Sequence, residues 1–197
     1  MLFLGCSHTQ AAKHAYSAIM AASFTAVPFR HLCVQNVFPR PYYESLVDHW
    51  PDLAKFPSTG DDGSPKNWKL RKNVPAEKLG GYWSDFEKSL APVLETALKK
   101  KFDIQAVSRT RMLITEDEPS FFIGVHNDDG MLAQFLLYVP FGDESGTYLY
   151  NEHKEYVKEV PAAPNAGLAF APSNVSWHSV PESNTPRHKI TFRLHAR

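Results

Sequence analysis

Among the histidines of the C-terminal half, His126 and His178 stand apart, because each closes a hydrophobic stretch, "FFIGVH" and "NVSWH". His153 lies in the charged segment "NEHKEY" and His195 in the last three residues, and both read as solvent-facing. His126 and Asp128 are two apart in "GVHNDDG". On a strand, residues i and i+2 share a face, so an imidazole and a carboxylate there can address one ion. His178, 52 residues downstream, is the best third ligand. Two histidines and one carboxylate suit a non-haem Fe(II) that activates oxygen beside a chelating cosubstrate, with the remaining positions open. The same donors also suit catalytic zinc, so ligand type alone leaves the ion open.

Arg187 comes nine residues after His178 and opens the segment "RHKITFRL". In a strand its side chain shares a face with Lys189, Thr191 and Arg193. An arginine buried toward a metal is costly unless it meets an anion. A guanidinium fork matches a carboxylate. A cosubstrate with one end on the metal and a distal carboxylate on Arg187 meets both demands, with Lys189 or Arg193 as alternative partners. Arg109 and Arg111 are candidates for cosubstrate or substrate contact, or for simple exposure. Tyr138, Tyr148 and Tyr150 are candidates for the pocket wall, or for core packing. Trp177 is expected to pack outward.

These residues need a scaffold. After Phe102, short apolar runs alternate with turn residues: "QAVSRTRMLIT", "SFFIGVH", "AQFLLYVP", "GTYLYN", "YVKEVPA", "GLAFAP", "WHSVP" and "KITFRL". Short strands at this spacing predict a sandwich or barrel. Before them, "PRPYYESLVDHW" and "GYWSDFEKSLAPVLETALKKKF" carry apolar stripes at helical spacing. The segment "FRHLCVQNVF" alternates as a first strand would. Helices first and strands last predict a mainly β, α+β chain. Residues 1–27 read as an extension or accessory helix and 28–197 as one domain, with helical support over about 39–101 and the β core over about 104–195. Residues 51–75, rich in Pro, Gly, Asp and Ser, read as a long loop. Together with "EDEPS" and "FGDESGTYLYNEH" it is expected to surround the pocket mouth.

Composition narrows the function classes. Lys plus Arg equals Asp plus Glu at 21 each, which argues against a general nucleic-acid or membrane binder. With only Cys6 and Cys33, a disulfide framework is not expected. "MLFLGC" has no basic n-region and too short an apolar run for a signal peptide, and no run is long enough to span a bilayer. A cytoplasmic protein is expected. Nothing indicates an oligomeric state.

The order His126-x-Asp128, His178, Arg187 on a strand-rich half resembles the Fe(II)/2-oxoglutarate-dependent dioxygenases. The likeness runs over about 105–195 and more faintly over "NVFPRPYYESL" and the helix before the strands. It implies a double-stranded β-helix, the jelly-roll or cupin-like core. It also implies Fe(II) on His126, Asp128 and His178, with 2-oxoglutarate as cosubstrate and O2 as oxidant. Arg187 would pair with the distal carboxylate, with Lys189, Arg193, Arg111 and Tyr138 as further cosubstrate contacts. The implied reaction is hydroxylation of a C–H bond in a small molecule, an amino acid or a peptidyl side chain, releasing succinate and CO2. Related halogenases have a small residue in place of Asp128, so the carboxylate points to a hydroxylase or demethylase. Arg187-x5-Arg193 is similar to the nucleic-acid demethylase branch, but the balanced charge argues against that substrate. The alternatives are a non-catalytic jelly-roll ligand-binding module and a metal-dependent cupin that does not use 2-oxoglutarate. A calcium loop is disfavoured, because "NDDG" lacks the D-x-D-x-D-G pattern and its distal Glu.

Overall fold

A computed structural model describes residues 6–62, 66–128, 130–140 and 145–196. Asp129 lies outside the described residues, as does part of the "FGDESG" segment. Helix α1 (His8–Ala21) is capped by Ser7, whose hydroxyl accepts from the Gln10 N–H while the Gln10 side chain accepts from the Ser7 N–H. That reciprocal box satisfies two of the donors a helix start leaves open. The helix buries Ala11, Ala12, Ala15 and Ile19 against the rest of the core.

Two short strands follow, β1 (Phe24–Thr25) and β2 (His31–Val34), then α2 (Arg40–Asp48). Asn36, at φ 50°, turns the chain out of β2. The stretch 51–75 departs from the expected loop. It contains 3-10 turns and ends in strand β3 (Arg71–Pro75), which pairs antiparallel with the first core strand. Arg71, Lys72 and Asn73 are polar residues at an edge position, so no apolar alternation marks the strand. Helix α3 (Gly81–Phe102) buries Trp83, Phe86, Leu90, Leu94, Ala97 and Leu98, and its last turn carries Lys99, Lys100 and Lys101. Those charges complement the carbonyl-rich helix end.

All eight strands expected after Phe102 form. They are β4 (Arg109–Asp117), β5 (Ile123–His126), β6 (Met131–Tyr138), β7 (Thr147–Tyr150), β8 (Tyr156–Val160), β9 (Gly167–Phe170), β10 (His178–Val180) and β11 (Arg187–His195). With β1, β2 and β3 they build a seven-stranded sheet, β1-β2-β9-β6-β11-β4-β3, and a four-stranded sheet, β5-β10-β7-β8. Every pairing is antiparallel. The result is a double-stranded β-helix with helices on one side.

Strand periodicity explains the layering. On β6, Phe135 and Leu137 join the cluster that packs on α1 and α3, together with Ile190, Phe192 and Leu194 of β11. Leu136 and Tyr138 point the other way and meet Leu149, Val160, Leu168 and Phe170 between the two sheets. β6 is buried on both faces, so its sequence reads as a continuous apolar run. The polar residues of β11 that alternate with its core residues (Arg187, Lys189, Thr191 and Arg193) line the cavity between the sheets.

The approach of β7 to β8 leaves no room for a side chain at Gly146. A Cβ there would lie 1.9 Å from the Val160 carbonyl oxygen and 2.9 Å from the Ala162 nitrogen. Those are backbone atoms and cannot rotate away. Gly146→Ala is expected to destabilise the protein by about 1–3 kcal/mol through overpacking. Urea unfolding would show an unshifted midpoint if the strands can separate freely.

Candidate metal and carboxylate site

His126 ends β5 and His178 begins β10, and the two are register partners on adjacent strands. That pairing sets their rings 4.3 Å apart, centre to centre. Asp128 lies just beyond β5, in the turn. The i, i+2 strand argument therefore does not describe Asp128: β5 stops at His126, and the turn itself delivers the carboxylate. His178 Nε2 is 3.3 Å from Asp128 Oδ2 and His126 Nε2 is 3.8 Å from Oδ1. One ligand atom from each of the three lies within 4.8 Å of the others, and no other such group occurs among the described residues.

The remaining ring nitrogens are held by the backbone. His126 Nδ1 lies 2.8 Å from the Gly124 carbonyl oxygen, and His178 Nδ1 lies 3.0 Å from that of Ser176. Each Nδ1 donates to its carbonyl, which aims each Nε2 at Asp128, where a bound metal ion would take the Nε2 lone pairs in place of a proton. Burial, followed by the neighbouring His178, lowers the pKa of His126 and favours the neutral imidazole that a metal needs. Burial works to raise the Asp128 pKa, but the adjacent His178 and His126 outweigh it and hold the carboxyl ionised. Gln134 Nε2 donates to Asp128 Oδ2 and fixes the carboxylate's orientation. These donors, with their lone pairs converging and their outer nitrogens tied, fit a divalent transition metal.

A second cluster occupies the other end of the same cavity. Asp117, the last residue of β4, is fully buried. It stands opposite Arg187 of β11 and Arg71 of β3 in the sheet. Arg71 donates to both carboxylate oxygens, Lys189 Nζ lies 2.9 Å from Oδ2, and Arg187 Nε lies 3.6 Å from it. The guanidinium of Arg71 also sits 4.0 Å over the Phe121 ring. Burial pushes the Asp117 carboxyl up, but the three cations outweigh it and hold it below the usual carboxylate range. Burial lowers Lys189 to about 7, only partly countered by Asp117. Three cations around one carboxylate leave positive charge to spare, a ready partner for an incoming anion.

The cavity between the two clusters has a volume of about 290 Å³. Its wall includes His126, Asp128, His178, Arg187, Lys189, Arg193 and Tyr138 among the sequence candidates. Arg111 does not line it. That residue is exposed on β4, opposite Arg193. Arg187 is placed in the wall, and its guanidinium donates to the carbonyls of Phe121, at 2.7 Å, and of Pro181. The anion that a buried Arg187 required is in the first instance Asp117 of this same chain. Lys189 donates to Asp117 and also lines the cavity. Tyr138, buried, pairs with Thr147 across 2.8 Å. Tyr148 and Tyr150 lie on the outer face of the smaller sheet. Trp177 packs under the Lys154 ammonium at 4.1 Å.

Arg71, Asp117 and Gln134 were not singled out from the sequence. Each acts through a cross-strand neighbour, and no spacing along the chain announces such a pairing.

Neither a protein-family model nor a curated protein sequence matches the chain. Solved structures do. A Pseudomonas putida prolyl-4-hydroxylase superposes with a TM-score of 0.60 at 13% identity, over 100% of this chain and 99% of that one. A Trichoplax adhaerens prolyl hydroxylase, in complex with a hypoxia-inducible-factor oxygen degradation domain peptide, gives 0.65 at 12% identity, over 95% of this chain and 90% of that one. A Phytophthora capsici prolyl 4-hydroxylase gives 0.59 at 15% identity, over 96% of this chain and 64% of that one. The double-stranded β-helix seen here is thus the fold shared with these prolyl hydroxylases.

Proposed function

We propose that this chain is an Fe(II)- and 2-oxoglutarate-dependent oxygenase that hydroxylates a C–H bond of a small molecule, an amino acid or a peptidyl side chain. The observation that carries the reading is the pairing of two clusters in one cavity: a His-Asp-His group at one end and a buried cation excess at the other. A dicarboxylate with a 2-oxo acid at one end has one matching partner at each. When bound, Fe(II) and 2-oxoglutarate supply the oxidising chemistry, in which O2 and the cosubstrate become succinate, CO2 and the hydroxyl of the product.

The chain's own residues have separable roles. His126, Asp128 and His178 hold the ion through Nε2, a carboxylate oxygen and Nε2. Gln134 keeps the carboxylate oriented. Lys189 binds the distal carboxylate, with Arg71, Arg187 and Asp117 setting the field around it. Leu136 and Val180 exclude water from the space between. The Trichoplax protein's peptide complex supports a peptidyl side chain as one substrate class for this chain as well.

The test is an anaerobic titration with Fe(II) and 2-oxoglutarate, followed in the visible range for the weak charge-transfer band of the chelate. Absence of the band, together with tight Zn(II) binding and no affinity for 2-oxoglutarate, would favour a cupin of different chemistry. Succinate release over a substrate panel then identifies the acceptor.

Lys189 makes the affinity pH-dependent with a defined sign. A carboxylate pairs with the ammonium form, and in the free protein that form is lost as pH rises through about 7. The Kd for 2-oxoglutarate, measured calorimetrically on the Zn(II) form, should be flat below that pH and weaken above it by up to about tenfold per unit. Binding in the alkaline range should take up a proton from buffer. In Lys189→Arg, which stays charged, the slope should vanish.

A further inference from the structure

Arg193 is the one cavity cation that the roles above leave unused. It lies four residues beyond Lys189 on β11, about 13 Å along the strand, beside Gln134 and so at the metal end. Its buried Nε has no hydrogen-bond partner among the described residues. The favourable charge acting on it is Asp128, while Arg71 and Arg111 oppose it. In the reading proposed above, Asp128 gives its charge to the metal, and Arg193 is then without an anion.

The inventory of the cavity gives the same answer. Among the described residues, Arg71, Arg187, Lys189 and Arg193 face it, against the carboxylates of Asp117 and Asp128. A ferrous dication and a dianionic cosubstrate cancel one another. The protein's own excess positive charge remains, even with Lys189 neutral. The excess continues outward from Arg193, since Arg111 is its register partner and Arg109 is that of His195. Both of those arginines are exposed, and neither has an ion-pair partner among the described residues.

We propose that Arg193 is a specificity-determining residue that binds a carboxylate of the substrate to be oxidised, with Arg111 behind it at the entrance. The substrate is then a small organic acid, an acidic amino acid or the acidic side chain of a peptide. A single buried fork suits one carboxylate, where a polyanion would need a continuous basic face. The assignment rests on the oxygenase reading, since it is the metal and cosubstrate that take up the other partners.

The redox-inert Zn(II) form saturated with 2-oxoglutarate is titrated with matched pairs: L-glutamate and L-glutamine, L-aspartate and L-asparagine, and the same residues within N-acetylated tripeptide amides. Binding is read by NMR line broadening, with oligo(dT) as a polyanion control. At least one carboxylate should bind roughly tenfold or more tighter than its carboxamide twin, the value of a charged hydrogen bond. Arg193→Gln should abolish that preference while leaving the Kd for 2-oxoglutarate within about twofold, as expected of independent sites. Arg111→Gln should weaken it less, and in a salt-dependent way. Arg193→Lys, which keeps charge but loses the fork, provides a milder replacement if the glutamine variant is unstable, and should lower the preference without erasing it.

If no pair discriminates, the proposal fails. It fails too if Arg193→Gln weakens 2-oxoglutarate as much as it weakens the carboxylate, which would put Arg193 on the cosubstrate. Preferential binding of oligo(dT) would likewise overturn it. All three results leave the oxygenase reading standing, whereas wild-type protein that does not bind 2-oxoglutarate removes both.

Discussion

Asp128→Ala should lower Fe(II) affinity and 2-oxoglutarate turnover by more than about 100-fold, since even outer partners of metal ligands are worth 10–100-fold. The argument is geometric before it is electrostatic. Asp128 faces both imidazoles, with one oxygen 3.3 Å from His178 Nε2 and the other 3.8 Å from His126 Nε2. Removing it leaves two imidazole nitrogens and, among the described residues, no carboxylate at that end of the cavity. The fold should tolerate the change, because the residue lies in a turn and stands partly open to solvent. Metal content after dialysis, succinate formation and the thermal midpoint should therefore separate: the first two collapse while the third holds. Gln134→Leu provides the graded comparison, keeping the ligands but releasing the carboxylate's orientation, and should cost about 10–100-fold in affinity. Equal metal retention by wild type and Asp128→Ala would remove the site altogether.

The fold was legible in the chain because burial writes itself as periodicity. The runs "MLAQFLLY" and "RHKITFRL" alternate or saturate with apolar residues because β6 and β11 are central strands with helices behind one face and a second sheet in front of the other. β3 was illegible for the converse reason. As the last strand of the larger sheet it presents Arg71, Lys72 and Asn73, with no apolar rhythm to betray it. The metal candidates were legible through residue type, since His126, Asp128 and His178 are a chemically recognisable set wherever they fall. Their mutual placement was not, because it depends on the β5–β10 register and on where β5 stops.

Arg187 shows how the fold can supply a partner that the sequence does not name. The inference that a buried arginine needs an anion was sound, and the anion turned out to be supplied by the fold. Asp117 is 70 residues away in the chain and directly across the β4–β11 ladder. Nothing in "RTRMLITED" distinguishes it from the acids around it. Once that carboxylate is placed, the candidates differ in their contacts: Arg187 donates to two carbonyls, Lys189 donates to Asp117, and Arg193 stands at the opposite end.

Asp117→Asn should destabilise the protein by about 3–5 kcal/mol, the usual effect of stripping one partner from a buried ion cluster. The side chain keeps its size and one acceptor oxygen, so packing is preserved and charge is what is lost. Arg71, Arg187 and Lys189 then face one another without a carboxylate. Lys189, with a pKa already near 7, should shed its proton at still lower pH. In wild type the native pKa of Asp117 is depressed, so its stabilising contribution is present above the unfolded carboxylate value, near 3.9, and is lost as pH falls through the lower native one. The variant should lack that acid-side loss. It should also respond to ligand in the opposite sense to its stability. A dianion entering the cavity replaces the missing charge, so 2-oxoglutarate should raise the thermal midpoint of Asp117→Asn by more than it raises that of wild type. Urea unfolding from pH 2 to 8, and thermal midpoints with and without 2-oxoglutarate near pH 7, measure the two effects. A variant as stable as wild type, or one that 2-oxoglutarate stabilises less, would mean that the cation cluster is balanced without an incoming carboxylate and that the distal anchor lies elsewhere in the cavity.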